Sequence, residues 1–288
     1  MTIDNQGRLI ISPQAMNVKP GDATTKTTPL MRVTISPEGK LQKMERIEWP
    51  VGAAMGLLYA FDSLYVNGQG PDGYHLYRLK DTDGDGVADI REKLYTGFRK
   101  FNIQAVINNL KWGMDGWIYA THGYSRGDVT SGDGSKKFGP DGSGVVRFKP
   151  DGSAFEQYSS RNGNTWGLNL TWDGQVFWTQ PTSGTVFFHT VLPESILSKG
   201  KLPGITSWKG MITNQLTFPA MTWPEQAYSQ IDQVGRFTAA AGCAIYEGGA
   251  WPEKWNYSYF TGEPTLNIIH HQFVRREGVS YSVEKEKG

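Results

Sequence analysis

Residues 81–92 read DTDGDGVADIRE, five carboxylates in twelve positions with glycines spaced between them. A hard divalent cation such as calcium needs several oxygens on a short, sharply turning backbone, and this run supplies them. Asp81, Asp83, Asp85, Asp89 and Glu92 occupy the first, third, fifth, ninth and twelfth places of a calcium loop, with Gly86 at the turn and the Val87 carbonyl at the seventh place. So many like charges on one segment repel unless a cation neutralises them. The pattern predicts a calcium site, with a solvated acidic turn as the alternative. The flanks GYHLYRLK and KLYTGF read as strands, not helices. The ion is therefore expected to staple a connection between strands and not to sense calcium by opening a helix pair.

Other residues with chemical potential are scattered. His122 ends the segment GMDGWIYATH and directly precedes a glycine-rich stretch. Arg161 and Asn164 lie in SRNGNTWG, Glu263 precedes Pro264, and His270 and His271 follow TLNII. Adjacent strand residues face opposite ways, so only one of the two histidines can serve a given site, and no third ligand stands at zinc-site spacing. Cys243 is the only cysteine, set among small apolar residues, so no internal disulfide or C-x-x-C motif forms and a buried thiol is expected. The formal net charge of +1, with no basic stripe, argues against nucleic acid as a partner. The amino terminus MTIDNQGRLI carries neither a basic region nor an apolar run, so neither a signal peptide nor a membrane span is read in this chain.

The elements that must position these residues show in internal repeats. A glycine turn followed by a short apolar strand recurs as DNQGRLIIS, MDGWIYATHG and WDGQVFWTQ, with the variant FDSLYVNG. A strand ending in a basic residue and then a turn recurs as LMRVTISPEGK, LYRLKDTDGDG and VVRFKPDGS. The two units alternate at a period of roughly 40 to 55 residues, the signature of β-propeller blades. The fold class is thus all-β, a propeller with about five legible blades, expected near 1–50, 51–101, 102–161, 162–192 and 237–283. Residues 123–144 read as a polar glycine-rich insertion, and residues 193–236 as a second insertion opening on the helical PESILSKG, both capping one face.

The acidic loop after a strand, then GMDGWIYATHG, then FTAAAGCAIYEGGAWPEKWNYSYFTGEPTLNIIHHQF, resembles a family of membrane-bound dehydrogenases. The propeller of that family is related to the soluble quinoprotein glucose and sorbosone dehydrogenases. The resemblance implies a single propeller domain over residues 1–288, part of a six- or seven-bladed ring and shortened at its C-terminal end. It implies a quinone-dependent oxidation of a sugar or aldehyde, with calcium and pyrroloquinoline quinone (PQQ) as cofactors. A small carbohydrate would be the substrate, a cytochrome c the electron acceptor, and the location periplasmic or extracellular. In such enzymes a channel histidine takes the hydroxyl proton, which assigns the catalytic base to His122. SRNGNTWG is similar to the R-N-P-x-G turn that holds the cofactor, although Arg161 lies two residues early when Asn164 and Gly167 are aligned. Arg161, Asn164, His270 and Glu263 are the cofactor-binding candidates. A calcium-dependent propeller lyase, dehydratase or lactonase acting on an oxidised sugar stays open, as does a non-catalytic binding propeller.

Overall fold

The computed structural model describes residues 1–13, 29–98, 105–181, 185–212 and 237–285. Most of its strands are short, and several central ones are buried on both faces, the pattern of a sheet covered on both sides. In the strand Ser63–Gly70, Leu64 and Val66 enter one apolar cluster while Tyr65 enters the next. In Val176–Thr179, Val176 and Trp178 point to one cluster and Phe177 to another. Each such side chain contributes roughly 1.5–3 kcal/mol by leaving water, so the chain is held chiefly by what lies between its sheets.

Among the described residues, five antiparallel blades follow one another. β1 (Thr2–Ile3), β2 (Leu9–Ile11), β3 (Pro29–Ile35) and the first half of β4 (Leu41–Ala60) form the first. The second half of β4 pairs with β5 (Ser63–Gly70), followed by β6 (Gly73–Lys80) and β7 (Ile90–Phe98). The third holds β8 (Ile107–Trp112), β9 (Ile118–His122), β12 (Gly144–Phe148) and β13 (Phe155–Gln157). The fourth holds β14 (Leu168–Leu170), β15 (Val176–Thr179), β16 (Phe187–Thr190) and β17 (Trp208–Gly210). The fifth holds β18 (Ala241–Tyr246), β19 (Ser258–Glu263), β20 (Ile268–Glu277) and β21 (Ser280–Glu284). Four apolar clusters each draw on two consecutive blades, and inner strands β4, β8, β14 and β18 touch in succession, which is the radial arrangement of a propeller.

Two expectations change. The fourth blade does not end at 192: after the helix α1 (Glu194–Gly200), β17 returns to the sheet and pairs with β16. Its three residues are too short for a periodic signal. The stretch 123–144 is not a plain loop. β10 (Gly127–Ser131) and β11 (Lys137–Asp141) form a hairpin that leaves the third blade and pairs with β7 of the second, linking the two. The expected helical start at PESILSKG is α1. WKGMITNQ is described only as far as residue 212, and FPAMTWPEQAY lies outside the described residues.

Candidate active site at the His122 end of the blades

β9 ends at His122, opposite Ile107, the first residue of β8. That places the imidazole at one end of the third blade, next to the inner strand. The adjoining segments are tied by buried polar groups. The Asn67 amide donates to the Ile107 carbonyl at 3.0 Å, and the Thr121 hydroxyl reaches Asn108 Oδ1 at 2.6 Å and the Trp166 carbonyl at 3.1 Å. The segment carrying Arg161 and Asn164 is thereby fixed beside β9.

The β10–β11 hairpin brings Asp141 to His122. Nδ1 of His122 lies 2.9 Å from Oδ2 of Asp141, and each side chain is 1% exposed. The separation is that of a hydrogen bond, but the direction is poor, so neither Nδ1 nor either carboxylate oxygen has a well-aligned partner among the described residues. Catalytic pairs without substrate commonly have such loose geometry. Close approach depends on glycine: a methyl on Gly127 would stand 2.2 Å from Asp141 Oδ1.

More unpartnered polar atoms lie on the adjoining segments. Ser125 Oγ, Asn162 Nδ2 and Asn164 Oδ1 are buried with no hydrogen-bond partner among the described residues, and a methyl on Gly123 would lie 2.6 Å from Asn164 Oδ1. Arg161 is exposed, packs beside Gly142, and has only a 3.5 Å contact from Nη2 to the Asp141 carbonyl oxygen. No acidic partner holds Arg161 among the described residues. Buried orphan polar groups are rare and concentrate where a ligand completes them. Asp141, Asn162 and Ser125 were not singled out from sequence. The fragment GPDG reads as one more turn, and only the hairpin reveals that its aspartate faces a histidine.

The other candidates lie elsewhere or are already engaged. Glu263 is fully buried, and its oxygens accept the amides of Thr238, Ala239 and Thr265 and the Thr238 hydroxyl. With both oxygens committed, it clasps a turn and offers no free lone pair directed at a cofactor. His270 lies edge-on against Phe237 in the fifth blade, and burial pushes its pKa down to about 4. His271 faces the other way, bonded to Ser258 Oγ at 2.9 Å and stacked on Phe260. Burial pushes the Cys243 thiol up to about 12, as befits an inert core thiol.

The acidic loop connects β6 to β7 at the opposite end of the blades. β6 ends beside the start of β5, where Phe61 packs on Trp112, the end of β8 farthest from Ile107. Oxygens of Asp81, Asp83 and Asp89 come within 4.8 Å of one another. Asp81 accepts the amides of Gly84 and Gly86, Asp89 accepts the Thr82 amide and hydroxyl, and Trp49 Nε1 anchors the Gly86 carbonyl at 2.9 Å. The amide bond from Thr82, the largest cause, holds the Asp89 carboxyl below its usual range. The full five-carboxylate set is not assembled. Asp85 accepts the Val87 amide at 2.7 Å, and Glu92 has entered β7, where it faces Arg78 at 3.4 Å. A strand beginning at residue 90 carries the twelfth position away from the turn, and Val87 is a 42% exposed side chain on the loop.

The fold is shared with solved sugar dehydrogenases. A glucose dehydrogenase superimposes with a TM-score of 0.50 at 15% identity, covering 92% of this chain and 83% of that one. The PQQ-bound aldose sugar dehydrogenase of Streptomyces coelicolor superimposes with a TM-score of 0.51 at 14% identity, covering 98% and 79%. No helix among the described residues is long and apolar enough to cross a membrane. No curated protein sequence matches the chain. Residues 53–288 match the domain of unknown function DUF7133, and the chain belongs to that family.

Proposed function

We propose that the protein is a sugar-oxidising propeller whose acid–base centre is His122, oriented by Asp141. The observation that carries this reading is the enclosed 2.9 Å approach of Nδ1 to the Asp141 carboxylate at a strand end rich in unpartnered polar atoms. A carboxylate beside Nδ1 favours the tautomer that keeps its proton there, leaving Nε2 a lone pair with which to accept a hydroxyl proton. The carboxylate also stabilises the imidazolium once that proton has arrived.

The donor set suits a quinone that bears carboxylates. Arg161 and the unpartnered Asn162 amide offer N–H groups to its oxygens, while Asn164 Oδ1 accepts from a sugar hydroxyl or ring N–H. PQQ, when bound, supplies the two-electron acceptor for oxidation of a sugar hydroxyl to a carbonyl. Asp141 fixes the imidazole, His122 removes the hydroxyl proton, and Arg161 with Asn162 holds the acceptor in register. A small aldose is the substrate class, and an external acceptor, such as a cytochrome c, completes the cycle. The family resemblance carries with it a periplasmic or extracellular location. A calcium ion held by Asp81, Asp83 and Asp89 braces the β6–β7 connection at the far end of the blades.

Titration of the purified protein with PQQ, followed by an aldose assay with an artificial electron acceptor, tests this reading. Saturable PQQ binding with aldose-dependent acceptor reduction is expected. Aldose turnover that never requires a quinone would point to hydrolytic or lyase chemistry instead.

A further inference from the structure

The blade turns at the end remote from His122 carry large apolar side chains that folding does not bury. Met114 is 85% exposed and Trp172 is 69% exposed, each directly before the aspartate of an Asp-Gly turn. An indole so placed loses the stabilisation of burial and invites aggregation, so it calls for another cause. Trp172 stands between two hollows. One, of about 750 Å³, runs between the third and fourth blades past Trp112, and the other, of about 340 Å³, runs on to Tyr257 and Tyr281 of the fifth. The turn that carries Trp172 is tied to the fifth blade, the Trp172 backbone amide donating to Glu247 Oε1 at 3.0 Å.

The polar groups in this groove carry both signs. Arg147 lies over the Trp117 ring at 4.4 Å and the Tyr158 ring at 4.8 Å, fixed by Asp115 at 3.0 Å and Glu156 at 2.7 Å. Asp173 and Glu247 have no cationic partner among the described residues; Asp173 takes the Thr171 hydroxyl at 2.6 Å and Glu247 the Trp172 amide. Arg275 and Arg276 line the smaller hollow as well, so guanidinium groups oppose a cationic guest while the carboxylates oppose an anionic one. An uncharged polyhydroxyl ring satisfies both, because its hydroxyls donate to carboxylates and accept from guanidinium while its C–H face lies on an indole.

We propose that this groove binds a neutral pyranoside chain, with Trp172 as the platform between two adjacent sugar positions. The site is separate from the His122 centre and stands whether or not that centre oxidises sugars. It would hold the propeller on a polymeric carbohydrate while leaving the opposite face free.

The test is calorimetry and tryptophan fluorescence on the full chain with cellohexaose, xylohexaose and mannohexaose, against hexagalacturonate and a cationic glucosamine hexamer. At least one neutral hexamer is expected to bind. Trp172→Ala should weaken that binding by about ten-fold or more, the loss of one stacking contact. Trp172→Phe should retain most of it, and His122→Asn should leave it unchanged, with circular dichroism confirming that each variant is folded. Failure of all three neutral hexamers, binding confined to a charged hexamer, or undiminished binding by Trp172→Ala would overturn the proposal.

Discussion

His122 and Asp141 meet at 2.9 Å although they belong to different structural units, one ending β9 of the third blade and the other ending a hairpin built onto the neighbouring blade. The acid–base pair is therefore only as well placed as the hairpin, and chemistry and blade packing are coupled through residues 123–143.

Replacing the carboxylate should uncouple orientation from cofactor binding. Asp141→Asn keeps the volume but offers an amide that can donate to Nδ1, which favours the wrong tautomer. Aldose oxidation is expected to fall by about 10²- to 10⁴-fold, while PQQ affinity measured by calorimetry stays within about three-fold of the parent.

Gly127→Ala should act on the same pair from outside it. The new methyl would fall 2.2 Å from Asp141 Oδ1 and 2.9 Å from the Gly97 carbonyl oxygen, so the hairpin must shift. A loss of about 1–3 kcal/mol in urea unfolding is expected, together with reduced turnover. Gly134→Ala, in the turn of the same hairpin, has φ +75° and nothing within 4 Å. It should cost about 1 kcal/mol of backbone strain and leave turnover intact.

The acidic loop sits at the far end of the blades, so calcium should govern stability without touching the chemistry. Calcium is expected to raise the melting temperature, by about 2–4 °C for each kcal/mol of binding stabilisation in a chain of this size. Asp81→Asn or Asp83→Asn should abolish the increase. The pH dependence of turnover should be the same with calcium and with chelator; a pH profile that moves with calcium would place the ion in the reaction.

The propeller was legible because its blades repeat a turn and an alternating strand, and because apolar residues such as Leu64, Tyr65 and Val66 fill both faces. The acidic loop was legible as a motif, but its geometry was not. Glu92 counts as a ligand by spacing, yet the early start of β7 commits it to Arg78. The strand end at His122 was legible from the glycine-rich stretch that follows it. The histidine's partner was hidden because Asp141 is one of several aspartates beside glycines, and only non-local pairing of β10 with β7 aims it. Glu263 shows the reverse case: next to a proline its carboxylate looks available, whereas in the fold three backbone amides donate to it.

His189 joins the fourth and fifth blades, with Nδ1 at 3.0 Å from Ser280 Oγ and Nε2 at 3.0 Å from Gln175 Oε1. Burial pushes its pKa from 6.5 down to about 4, opposed by Asp173. The unfolded chain therefore binds a proton that the folded chain does not between those values. Stability should be full above pH 6.5 and fall as pH drops toward 4, by about 3 kcal/mol at most from this group. Urea unfolding at pH 7 and pH 5 measures the slope, and His189→Gln should reduce it. His270, lowered by burial in the same way, keeps some slope in the variant.

The most direct test is kcat/KM for aldose oxidation by the PQQ-loaded protein, compared between the parent and His122→Asn. In the variant kcat/KM should fall by about 10²-fold or more, with PQQ still bound. Unchanged kcat/KM in His122→Asn would contradict His122 as the proton acceptor.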